Sequence, residues 1–177
     1  MTDALVRVAL PLPLSVDYTY RVPEPLDGVV AVGMRAVVPV RDRELIGIVT
    51  ALGAEAPARP ARDVLALPDP SPLLSSSLLE LATWMAAYYG APRGLALRAM
   101  LPAGMWGASQ VRLRVADHAR GDGPTADALV AWLRERGGSG SAAAARRALH
   151  RDIWDVVRRL AARGELALEV EAPDTSA

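Results

Sequence analysis

The sequence changes its hydrophobic period near residue 71, and that change limits the fold more than any other feature. Before it, apolar residues recur every second position in short runs; after it, they recur every three to four. Ala4 to Leu10 alternates around Arg7. Val16, Tyr18, Tyr20 and Val22 share one face of a second run, and Arg35 to Val40 and Leu45 to Ala51 form two more, separated by the charged link Arg41-Asp42-Arg43-Glu44. That link has hairpin length. Pro11, Pro13, Pro23, Pro25 and Pro39 fall at run edges, where a missing N–H does least harm. Short strands at this spacing predict a small barrel or curled sheet.

The helical period predicts a helix capped by Ser71-Pro72, with Leu74, Leu78, Leu81, Met85 and Tyr88 as its buried stripe and Gly90 as its end. A shorter helix follows from about Arg93 to Met100, stopped by Pro102. Past Gly104 the pattern restarts. Gln110 to Val115 reads as a strand, Thr125 to Arg136 as a helix with Leu129, Trp132 and Leu133 inward, and Gly137 to Gly140 as a flexible turn. Ala142 to Leu149 is a short helix. Asp152 caps another through Arg163, striped by Ile153, Val156, Val157 and Leu160 and ended by Gly164; Glu165 to Glu171 closes as a strand. One strand, three helices and a closing strand is the order of a winged helix. The expectation is an α+β chain of two domains: a β-rich domain with trailing helices over 1–105, and a winged helix over 110–172.

Composition removes most chemistries. All 20 positive charges among the 177 residues are arginine, balanced by 20 Asp plus Glu, and there is no cysteine. Without lysine there is no phosphate-loop GxxxxGK[ST] motif; without cysteine there is no disulfide, thiolate zinc site or thiol nucleophile. His118 and His150 are too few for a histidine-based metal centre, and no GxSxG or HExxH motif occurs. No catalytic residue, metal or cofactor is expected. No apolar stretch is long enough to span a membrane, and the N-terminus lacks a secretory pattern, so a cytoplasmic location is expected.

Two constellations remain. Tyr18 and Tyr20 share a strand face with Arg41, Arg43 and Arg62 in nearby connections, the equipment of a single-strand binder and also compatible with ordinary core tyrosines. Between Ala142 and Arg163 lie Arg146, Arg147, Arg151, Arg158, Arg159 and Arg163 against Asp152 and Asp155, a local balance of +4. Arg151, Arg158 and Arg159 avoid the apolar stripe of the recognition-position helix, where guanidiniums reach duplex phosphates or guanine edges. A solvated basic face used for protein contacts is the alternative. Trp84 and Trp132 read as core and Tyr88-Tyr89 as structural. Trp154 reads as core or domain packing, and Trp106 as packing across the domain boundary.

Three ordered segments carry a resemblance. VALPLPLSVDYTYRVPEPL (Val8–Leu26), VGMRAVVPVRDRELIGIV (Val32–Val49) and LLELATWMAAYYGAPRGLALRAMLP (Leu78–Pro102) resemble, in register, the N-terminal end of the PriA family of bacterial replication-restart proteins. The resemblance implies a β-rich domain that captures the 3′ end of a nascent leading strand at a fork or D-loop, followed by a winged helix. It places the pocket's aromatic on Tyr18, its acidic position on Thr19, its glycine on Arg41 and its basic residue on Arg62. Thr19 brings a hydroxyl without charge, and Arg41 offers a phosphate contact in place of close backbone approach. Forked DNA is the implied partner, with primosome proteins, the replicative helicase or single-stranded-DNA-binding protein as protein partners. The family's helicase lobes and zinc module have no counterpart in this sequence, so the chain is expected to be a DNA-binding fragment or a motorless member. The rival expectation is a replisome adaptor with little DNA affinity of its own.

Overall fold

A computed structural model describes residues 4–106 and 111–170. The chain divides into two compact units, Met1–Trp106 and Gly107–Ala177.

The first unit is built on strands β1 (Leu5–Ala9), β2 (Tyr18–Arg21), β3 (Arg35–Val40) and β4 (Arg43–Leu52), all antiparallel in the order β2-β1-β4-β3. The two edges are not left open. The segment after Ala61 pairs with both: the Arg21 N–H donates to the Arg62 carbonyl at 2.9 Å, and the Val37 N–H donates to the Ala66 carbonyl at 2.9 Å. One stretch of chain therefore joins β2 to β3, curling the sheet and satisfying edge groups that would otherwise invite pairing with another chain. No period-two run marks this stretch in the sequence. Val6, Val8, Tyr20, Val22, Val38, Val49 and Val64 fill the interior.

On the outer face of the sheet, helices α1 (Ser76–Tyr89) and α2 (Arg93–Met100) enclose a second cluster of Ala9, Ile48, Leu74, Leu79, Ala82, Leu97 and Trp106. Trp106, the last residue of the first unit, belongs to this core within that unit. Gly94, the second residue of α2, lies so close to the Leu10 carbonyl that a Cβ would overlap it. Arg35, 6 % exposed, ties β3 to the chain beyond the sheet. Its Nε and Nη2 donate to the two carboxylate oxygens of Asp69 at 2.7 and 2.6 Å, and its Nη1 donates to the Met105 carbonyl at 3.0 Å.

Two expectations about α1 are corrected. The N-cap is Ser75, whose Oγ accepts from the Leu78 N–H, because the Leu73 and Leu74 N–H groups both donate to the Gly33 carbonyl and hold the chain extended past Ser71-Pro72. The buried stripe is Leu79 and Ala82, whereas Leu78, Leu81, Trp84, Tyr88 and Tyr89 are exposed. Trp84 stacks on Tyr88 with ring centroids 5.1 Å apart, so neither Trp84 nor the Tyr88-Tyr89 pair is core. α1 is apolar on nearly every side, so periodicity alone did not choose its buried face.

The second unit runs β5 (Val111–Val115), α3 (Pro124–Arg134), β6 (Ser139–Ser141), α4 (Ala142–Leu149), α5 (Trp154–Ala162) and β7 (Leu166–Val170), with antiparallel sheet order β6-β5-β7. Gln110 and Glu171, the outer ends of the two expected strands, lie outside the described residues. The expected flexible turn over 137–140 is partly strand: Ser139, Gly140 and Ser141 pair with Arg114, Leu113 and Arg112. Gly140 permits this because the Trp132 ring occupies the space a Cβ would take. Trp132, expected as core, is half-buried, with the Arg136 guanidinium 4.3 Å from its ring centroid. Trp154 is core, at 2 % exposure.

The loop before α3 is held by charge. Asp122 accepts from Arg159 Nε and Nη2, each at 3.0 Å, and from Arg163 Nη1 at 3.0 Å. These bonds, led by that of Arg159, lower its carboxyl pKa from 3.8 to about 2. A depressed carboxylate pKa stabilises the fold above the unfolded-state value and loses that contribution as pH falls through the folded-state value. Unfolding by urea, followed at low salt for the native chain and Asp122→Asn, should show a stability gap that is constant above about pH 4 and closes towards about pH 2. A gap undiminished at pH 2 contradicts the assignment.

Candidate nucleic-acid interface

β2 is an edge strand, and its alternation sorts its side chains cleanly. Tyr20 turns into the barrel interior and is 4 % exposed, while Tyr18, two residues earlier on the same face, lies at the mouth with 41 % of its surface exposed. The Tyr20 hydroxyl donates to the Pro39 carbonyl at 3.3 Å, joining β2 to the end of β3. Burial pushes its phenol up to about 12; Tyr18 adds to the shift and Arg62 opposes it, so both lie within electrostatic reach of the Tyr20 hydroxyl.

Arg62 stands on the edge-closing segment, its carbonyl bonded to β2, and its Nη1 donates across the mouth to the Arg41 carbonyl at 3.0 Å. Arg41 opens the two-residue turn that joins Val40 to Arg43, and its φ is +53°. That left-handed conformation favours glycine, which gives a physical reason for a glycine at this place in the turn. Arg41→Gly should raise stability by about 0.5–1 kcal/mol, relief of the left-handed cost less glycine's extra chain entropy. Differential scanning calorimetry would check it, and a lower melting temperature would show that Arg41 is not strained.

Tyr18, Arg41 and Arg62 are thus brought to one mouth. Thr19 is not: alternation turns it to the opposite face of β2, where it stands across from Arg7. The adjacent acid, Asp17, offers no replacement for a carboxylate at that position, because its Oδ2 accepts from Thr50 Oγ1 at 2.7 Å and Arg93 Nη1 at 3.2 Å. Arg43, paired across from Val40, takes the same face as Leu45 and is exposed at the hairpin end. Asp63 is held by Arg21 at 2.6 Å.

In the second unit the arginines separate. Arg146, Arg147 and Arg151 line one open depression with His150 and Asp152, where α4 gives way to α5. His150 makes this bend with φ +50°, and the Asp152 carboxylate accepts from the Trp154 N–H at 3.1 Å to start α5. Arg151 also donates to Thr125 Oγ1 at 3.3 Å. Arg158 and Arg159 do not form the expected basic face. Arg158 is 7 % exposed and paired with Asp155, and Arg159 is committed to Asp122. The helical wheel placed Arg158 off the stripe, but α5 is buried on most sides, by Trp154, Val156, Val157 and Leu160. Among the described residues, no group of three or more His, Cys, Asp or Glu side chains is placed to hold a metal ion, and no helix is long and apolar enough to cross a membrane.

The first unit is therefore a small curled-sheet module presenting a half-exposed tyrosine and guanidiniums at one mouth. The profile of the PriA 3′ DNA-binding domain (3′BD) matches residues 7–102, more than half the chain. The chain belongs to the PriA 3′ DNA-binding domain family. It is 31 % identical over 101 residues to the replication restart protein PriA of Bacillus subtilis (strain 168), a match covering 56 % of this chain and 12 % of that protein. It is 30 % identical over 98 residues to PriA of Rickettsia conorii (strain ATCC VR-613 / Malish 7), covering 55 % of this chain and 15 % of that protein. The matches thus span less than a sixth of either relative's length.

Proposed function

We propose that this chain binds branched DNA in replication restart, holding the 3′ end of a nascent leading strand at the mouth formed by Tyr18, Arg41 and Arg62. The observation that carries this reading is the convergence itself. Three elements distant in sequence bring a half-exposed aromatic ring, the Arg62 guanidinium and the backbone of the Arg41 turn together at one edge of a closed sheet. Stacking on Tyr18 accepts any base, and the arginines neutralise phosphate without reading sequence, so what is recognised is an end rather than a motif.

The second unit is read as a winged helix occupying flanking duplex. Its support is the helix–bend–helix of α4 and α5 against a three-stranded sheet, with Arg146, Arg147 and Arg151 on one side. The chain acts without catalysis of its own, in the cytoplasm at the nucleoid; ATP-driven unwinding, primosome assembly and the other activities of a whole restart protein are assigned elsewhere. With zero net charge, affinity comes from these local patches and depends only modestly on salt. Arg62→Ala should weaken binding to forks and reduce the slope of log affinity against log salt by about one, the mark of a single phosphate contact.

The adaptor reading draws on one observation, the exposed Trp84, Tyr88 and Tyr89 of α1. Fluorescence anisotropy with a fork and a linear duplex of equal length separates the two. Tighter binding to the fork supports the DNA-end reading; equal, weak binding to both supports the adaptor.

A further inference from the structure

We infer that the second unit holds duplex DNA by its phosphates, through α4 and the α4–α5 bend, and that α5, the helix in the recognition position, does not read the bases. This rests on the reading of the unit as a duplex binder, and it goes further by naming the face used and the part of the duplex it recognises.

A recognition helix enters the major groove with its N-terminal residues towards the base edges. α5 is poorly equipped for that place. Trp154, Val156, Val157 and Leu160 are buried, so its outward side near the N-terminus is left to Asp155, whose side chain is 80 % exposed. A carboxylate there repels the phosphates that flank a groove. Arg158 is 7 % exposed and paired with that same Asp155. Arg159 and Arg163, further along, each bind Asp122 at 3.0 Å, and Arg163 also binds Glu165 at 2.9 Å. A phosphate reaches these two only by displacing a carboxylate already bonded to both. Among the described residues, Asp122, Asp155 and Glu165 thus balance Arg158, Arg159 and Arg163, and the surface around α5 has no positive excess.

The neighbouring surface does. Arg146, Arg147 and Arg151 are exposed and line one open depression with His150, and Asp152 is the single carboxylate in that lining. Three guanidiniums against one carboxylate leave a local balance of +2. The Asp152 carboxylate is turned onto the Trp154 N–H at 3.1 Å. His150, with φ +50°, bends the chain so that Arg147 on α4 and Arg151 beyond it line the same depression. The bond from Arg151 Nη1 to Thr125 Oγ1 steadies its guanidinium, which has five N–H donors. Guanidiniums bind phosphate through short, charge-assisted bonds, and such contacts position a protein on duplex without carrying sequence.

The test is anisotropy of the full chain at low salt with a duplex closed by loops at both ends, which offers no strand end to the first unit. The parent should bind two scrambled sequences of this duplex equally. Arg147→Ala with Arg151→Ala should weaken binding to both alike and reduce the slope of log affinity against log salt by about two, one for each lost phosphate contact. Arg147→Lys with Arg151→Lys keeps both charges and should restore the slope. Asp122→Asn with Arg159→Gln alters α5 at constant net charge and should leave affinity and slope as in the parent. A loss in this α5 variant, a preference for one sequence, or an unchanged slope in the alanine variant overturns the inference and leaves duplex binding standing. No binding of the closed duplex by the parent overturns both.

Discussion

Arg35→Ala should destabilise the first unit by about 3–5 kcal/mol, because removing one partner of a buried ion pair strands the other. Asp69 would keep a carboxylate whose two hydrogen bonds from Arg35 are lost, and the Met105 carbonyl would lose its donor. For a unit of this size the melting temperature should fall by about 12–20 °C. The double variant Arg35→Met with Asp69→Leu should recover most of the loss, since apolar side chains of similar volume often replace a buried pair at little net cost. A single variant within 1 kcal/mol of the parent would mean that water reaches the pair and that the three-point tie of β3 is not structural.

Tyr18→Ala should weaken binding to forks with a leading-strand 3′ end at the junction by about 1–3 kcal/mol, the range for loss of one base–aromatic stack. In dissociation constant that is about 5- to 150-fold. The melting temperature should barely move, because much of the ring is already in solvent and makes no described hydrogen bond. Tyr20→Ala provides the contrast. Its ring is part of the barrel core and its hydroxyl bridges to Pro39, so its loss should unfold the unit and reduce binding to every substrate together. Two tyrosines on one strand face thus separate into a ligand-facing ring and a structural one, and calorimetry beside anisotropy reads the difference.

The β-rich first half was legible because its strands alternate cleanly and its prolines fall between them. The helices after residue 71 were legible as elements, but the faces of α1 were not. A helix that is apolar nearly all round has no stripe to read, and its cap moved to Ser75 through bonds to Gly33 that are distant in sequence. The edge-closing stretch from Arg62 to Ala66 was missed for a similar reason. Its pairing alternates between two different strands, so its pattern is not that of a strand in one sheet. At the mouth, strand alternation and the nearby connections already grouped Tyr18, Arg41 and Arg62 and the resemblance gave them roles, while alternation within β2 removes Thr19. In the second unit, local charge counting could not tell which arginines line an open surface and which are held by nearby carboxylates. Arg158 and Arg159 pair with Asp155 and Asp122, whereas Arg146, Arg147 and Arg151 line the open depression.

The central claim is that this chain recognises the end of a strand, and one ratio measures it. The full chain is titrated by anisotropy against a fork whose leading-strand 3′ end abuts the junction and against the same fork with a gap there. The parent protein should bind the first more tightly, and a well-folded Tyr18→Ala protein should bind both alike. An undiminished preference for the 3′-ended fork in that folded variant would contradict the account.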